Sequence, residues 1–124
     1  MTVKIKRAYE PAEKLDGKRI LVDRLWPRGI RKEDASVWTW MKEIAPSIET
    51  RKKFAHRPEN WNQFREDYAR ELCENELLKD LRRLADSGLI TLLYAAKDES
   101  HNNAVVLRDI LLNFEEFEKD CRSH

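Results

Sequence analysis

The chain has 124 residues, 41% hydrophobic and 38% charged, with a formal net charge of +1. One domain of this length buries roughly two thirds of its unfolded surface, and four Trp and four Phe supply core material that disordered chains lack. The near-neutral balance removes the global field that draws basic proteins to nucleic acid or anionic membrane, and no apolar run approaches the roughly 18 residues of a membrane span.

The N-terminal stretch MTVKIK has no apolar signal-peptide core, so a cytoplasmic location is expected. Cys73 and Cys121 form no CxxC and no metal quartet. A disulfide between them is left open on weak support, and reduced thiols are the preferred reading.

Residues 2–8 (TVKIKRA) alternate apolar and charged side chains, which predicts a half-buried strand. Asp16-Gly17 breaks the chain, and Arg19-Ile20-Leu21-Val22-Asp23 reads as a short central strand. A loop follows in which Pro27 blocks further pairing and Gly29 permits an unusual backbone angle. Six basic residues stand against the single acid Asp23 between Lys18 and Lys32.

Asp34 or Ser36 is placed to cap a helix over about 36–45, with Val37, Trp40, Met41 and Ile44 as its buried stripe. Pro46 ends it, and a short helical segment is expected over 47–55. The longest helical pattern runs from 59 to 87 and shifts its stripe at Glu74-Asn75-Glu76, which predicts two helices or one bend. Tyr68 and Glu71 are spaced as a helix-face pair, with a reach to the strand edge as the alternative. Gly88 caps the pattern. A buried strand over 89–95 and a helix over 101–120 complete the chain.

These elements predict one α/β domain spanning 1–124, with a small three-stranded, at least partly parallel sheet flanked by helices. The long helical connection between the second and third strands makes those two parallel neighbours in one sheet. Their C-terminal ends then share an edge, where open α/β sheets bind ligands.

Two loops meet at that edge. In the first, Arg24 and Arg28 suit a bidentate grip on phosphate or carboxylate, and Trp26 suits stacking on a ring. In the second, Lys97, Asn102 and Asn103 are candidate ligand contacts, and Asp98 and His101 candidate acid–base groups. Asp98 or Ser100 is the expected helix N-cap, and free N–H groups over 100–103 suit an anion. Lys97 and His101 beside a helix N-terminus oppose its dipole, which points to something anionic sharing the space.

His56, His101 and His124 are scattered without metal-ligand spacing, and no GxGxxG or P-loop is present. No cofactor or metal is therefore expected.

The motifs VDRLWPRGIRK (22–32), FREDYARELCEN (64–75) and LITLLYAAKDESHNNAVVL (89–107) together resemble the domain of unknown function 488 family, in its short YeaO-like branch. The resemblance spans nearly the whole chain. It implies a small α/β domain and no established activity. It matches Asp23, Arg24, Trp26, Pro27, Arg28, Gly29, Lys97, Asp98, His101, Asn102 and Asn103 to the family pattern, the same two loops. Longer relatives carry cysteines near the last loop, and here those places read Tyr94 or Ala95 and Ser100-His101-Asn102.

The leading expectation is a small anionic ligand, phosphate- or nucleotide-like, bound at the sheet edge, with turnover left open. The alternative is a non-enzymatic protein-interaction module using Trp38 and the basic loop. Nucleic-acid binding through residues 18–32 ranks last, because one short basic loop on a neutral domain binds weakly.

Overall fold

Three apolar or alternating runs form β1 (Val3–Arg7), β2 (Lys18–Leu21) and β4 (Ile90–Tyr94), and a further strand, β3 (Thr39–Trp40), joins them. This computed structural model describes residues 1–123; His124 lies outside the described residues. The helices are α1 (Ile48–Phe54), α2 (Trp61–Cys73), α3 (Leu77–Ser87), α4 (Asn103–Leu112) and α5 (Phe114–Arg122). The sheet runs β1-β4-β2-β3 with every neighbouring pair parallel.

The sheet thus has four strands where three were expected. The predicted helix over 36–45 is absent because its residues continue the ladder: Trp38 N–H donates to Arg19 O at 2.7 Å and Met41 N–H to Leu21 O at 2.9 Å. Ser36 sits at φ 51°, so it is not the expected cap. The apparent helical stripe is divided between the two sheet faces. Val37 and Trp40 pack with Leu21 and Leu93 on one face, while Met41 and Ile44 join the main core on the other.

Strand periodicity sorts the rest. Val3, Ile20, Val22, Ile90, Leu92 and Tyr94 face the main core, to which all five helices contribute. On the opposite face, Ala8, Leu21 and Leu93 are covered by Trp26, Ile30, Val37 and Trp40 rather than by a helix. Gly17 adopts φ +62° where a Cβ would collide with the Leu89 carbonyl, so the turn into β2 requires glycine.

The long helical pattern divides as expected into α2 and α3. Tyr68 and Glu71 do not pair with each other. The Tyr68 hydroxyl, fully buried, donates to Ile44 O at 2.7 Å, and burial raises its pKa well above the ordinary tyrosine value. Glu71 accepts from Ser47 N at 2.9 Å and Ser47 Oγ at 2.7 Å, and from Thr50 Oγ1, so it caps α1 from the side. The final helix breaks at Asn113 into α4 and α5.

The preference for free thiols is overturned. Cys73 and Cys121 are joined, with Cα atoms 5.6 Å apart, because the chain brings α5 back to the end of α2. No helix among the described residues is long and apolar enough to cross a membrane.

Candidate functional site

Because the strands are parallel, their C-terminal ends open onto one edge. There β2 leads into Asp23-Arg24 and β4 into Ala95-Ala96, and a cavity of about 400 Å³ opens beside both.

Asp23 ties the two strand ends together. Its backbone carbonyl accepts the Trp40 indole N–H at 2.7 Å, and its Oδ2 accepts the Ala95 N–H at 2.9 Å. Burial raises the Asp23 pKa above the ordinary carboxylate value, against the opposing pull of the Ala95 N–H, the Asn103 amide, Arg51 and His56.

The cations around it are incompletely partnered. Arg24 makes only long contacts, 3.5 Å to Glu43 and 3.4 Å to Ala45 O. Its Nε is buried without a hydrogen bond, and so is the Nε of Arg51. Arg28 lines the cavity from an exposed position. The Trp26 indole is held in place by donating to Ile30 O at 2.7 Å and by an edge-on contact with Trp40 at 5.5 Å. Ala55 and His56 at the end of α1 hold left-handed φ values of 51° and 54°. Such angles are strained for residues with a Cβ, and of the two His56 lies on the cavity wall.

The second loop is largely occupied with its own structure. The Asp98 carboxylate accepts from Ser100 N at 2.9 Å and His101 N at 3.1 Å, and its Oδ2 lies 2.9 Å from His101 Nδ1. These bonds hold the Asp98 pKa below its ordinary value. The N-cap of α4 is neither Asp98 nor Ser100 but Asn102, whose side chain accepts from Val105 N at 3.1 Å and donates to Asp98 O at 3.0 Å. Asn103 donates to Val22 O at 2.8 Å, which locks α4 onto β2. The Ser100 and His101 amides expected to be free for an anion are therefore already used.

Of the residues singled out from sequence, Arg24, Trp26, Arg28, His101, Asn102 and Asn103 line the one cavity. Lys97 and Asp98 are exposed and do not line it; Asp98 reaches it through His101. Tyr9, Arg51, Phe54, His56 and Phe64 also line it and were not singled out. Arg51 carries no local signal, because it opens an Arg-Lys-Lys run indistinguishable from a solvated helix end. Trp38 is 54% exposed with the Lys18 ammonium 4.8 Å from its ring centre, and it lies outside the cavity.

The model of the inactive DUF488-N3 subclade matches residues 2–123. The chain belongs to the DUF488 family. A DUF488 relative from Escherichia coli strain K12, the uncharacterised protein YeaO, is 49% identical over 114 residues, covering 90% of this chain and 97% of YeaO. The uncharacterised proteins Mb3100c of Mycobacterium bovis and Rv3073c of Mycobacterium tuberculosis H37Rv are each 39% identical over 109 residues, 88% of this chain and 92% of theirs. No solved structure matches the chain significantly. Of the residues matched to the DUF488 pattern, Asp23, Arg24, Trp26, Pro27, Arg28, His101, Asn102 and Asn103 contribute to the cavity wall, while Gly29, Lys97 and Asp98 stand outside it.

Proposed function

We propose that this DUF488 protein binds a small anionic ligand, phosphate- or nucleotide-like, in the cavity at the C-terminal sheet edge. One observation carries the reading: Arg24 and Arg51 both enter the cavity wall with a buried Nε that no described residue satisfies. A buried donor without a partner costs about 1–3 kcal/mol, more when charged, so these two guanidinium groups are places where a water or a ligand acceptor belongs. Three arginines (Arg24, Arg28, Arg51) against one carboxylate (Asp23) give the cavity a cationic balance. Guanidinium groups suit phosphate because they offer paired donors in one plane.

A thermal-shift titration with phosphate, sulfate, sugar phosphates and nucleotides tests this. Ligand at 100 times its dissociation constant stabilises the native state by about 2.7 kcal/mol. The shift is expected to be lost in Arg51→Met and weakened in the exposed Arg28→Ala. Absence of any shift across the panel, or a shift unchanged in both variants, overturns the reading.

A second reading, turnover of that ligand, sets the Asp98–His101 contact of 2.9 Å against the inactive description of the matched subclade. Asp98 fixes the ring through Nδ1, and no described residue bonds Nε2. Incubation of wild type and His101→Ala with each ligand that binds, followed by phosphorus NMR, tests it. An unaltered ligand in both samples leaves binding alone.

A further inference from the structure

The proposed anion site has an opposite pole, and that pole restricts the ligand. Asp23 shares the cavity with Arg24, Arg51 and His56, yet it forms an ion pair with none of them among the described residues. Its carboxylate accepts the Ala95 N–H at Oδ2 and has the Asn103 amide close by, but no cation of the cavity closes onto it. Elsewhere in this molecule a carboxylate and a guanidinium placed together close to 2.6 Å, as Asp16 and Arg19 do. In the cavity the opposite charges stay apart, with Trp26, Phe54 and Phe64 contributing apolar wall around them.

Resting on the anion-binding reading, we infer that the ligand is bipolar, with an N–H-bearing ring recognised by Asp23 and a phosphate held by Arg24 and Arg51. A nucleoside monophosphate has this form, whereas inorganic phosphate and a plain sugar phosphate lack the N–H end. A cavity of about 400 Å³ is within the range of sites for molecules of that size. The aromatic wall suits a flat ring, and Asp23 at the cavity wall is the one carboxylate there able to accept from a ring N–H.

Isothermal titration of the whole protein with inorganic phosphate, ribose 5-phosphate and the four ribonucleoside monophosphates separates the two poles. At least one monophosphate nucleotide is expected to bind about 10- to 100-fold more tightly than ribose 5-phosphate, the range for a hydrogen bond to a charged group. Asp23→Asn, which keeps an acceptor for the Ala95 N–H, is expected to erase that preference without weakening ribose 5-phosphate, because it removes the one negative charge from the cavity wall. On wild-type protein the Ala95 amide resonance should move with the nucleotide and not with ribose 5-phosphate, a readout that stands even if the variant misfolds.

Nucleotides no tighter than ribose 5-phosphate, a preference that survives Asp23→Asn, or a silent Ala95 amide would each overturn the Asp23 assignment and leave the anion site standing. Failure of all six ligands to bind would overturn the anion site itself.

Discussion

Two charged clusters lie on this sheet, and they are built to opposite rules. Around Asp16, which is fully buried, Lys4, Lys6 and Arg19 converge at 3.2, 3.0 and 2.6 Å. The remaining donors are also matched: Glu13 N–H reaches Asp16, Lys6 reaches Glu13 at 3.0 Å, and Arg19 reaches Ser36 O and Glu10 O. Around Asp23 the arginines keep unpaired nitrogens and no ion pair closes. Both clusters set an aspartate among several cations. Satisfaction, rather than composition, separates a structural cluster from a candidate binding site.

The largest expected effect tests the closed cluster. Asp16→Ala strands buried cations and should destabilise by about 3–5 kcal/mol, the range for breaking a buried ion pair. Urea unfolding measures it, with the midpoint falling and the slope unchanged. Arg51→Met should stay within about 0.5 kcal/mol of wild type, because among the described residues its Nε has no hydrogen-bond partner to lose. An Arg51 variant as unstable as the Asp16 variant would break the comparison and return the cavity to a structural role.

The next effect lies outside both clusters. Reduction of the Cys73–Cys121 bond, which spans 48 residues, should lower stability by about 2–4 kcal/mol. Chemical unfolding with and without a phosphine reductant measures it. Because neither cysteine touches the cavity, the affinity for any bound anion should not change; a change would show that α5 and the cavity communicate.

Much of this was legible in the sequence, for physical reasons that also set the limits. Strands β1, β2 and β4 announced themselves because period-two alternation and short apolar runs reflect burial directly. The parallel pairing of β2 with β4 followed from the length of the helical connection between them. β3 was hidden because its two residues pair at an edge, and Val37, Trp40, Met41 and Ile44 mimic a helical stripe while serving opposite faces. The cavity's first loop was visible as clustered arginines around a Trp-Pro pair. Arg51 carries no such signal because only tertiary packing buries its Nε, and the structural roles of Asn102 and Asn103, beside their places on the cavity wall, are not separable from ligand contact in sequence.

The smallest expected effect is also the sharpest, because it reverses sign between the clusters. For Asp16, burial alone would raise the pKa, but Lys6, the Glu13 N–H, Arg19 and Lys4 hold it far below the ordinary carboxylate value. A depressed carboxylate contributes stability above its unfolded pKa, near 3.9, and loses that contribution as pH falls through the folded value. Asp23 is shifted upward, chiefly by burial, so folding disfavours its charged form; that cost is absent at low pH, begins as pH rises past the unfolded pKa near 3.9, and is complete above the folded value. At pH 7 Asp16→Asn should therefore lower the melting temperature, whereas Asp23→Asn should raise it slightly. The Asp23 gain should vanish in acid, and the Asp16 loss should shrink only below the ordinary aspartate range. Melting curves of both variants from pH 3 to 7 decide the matter: equal signs at neutral pH would mean that Asp23 is as fully satisfied as Asp16 and has nothing to offer a ligand.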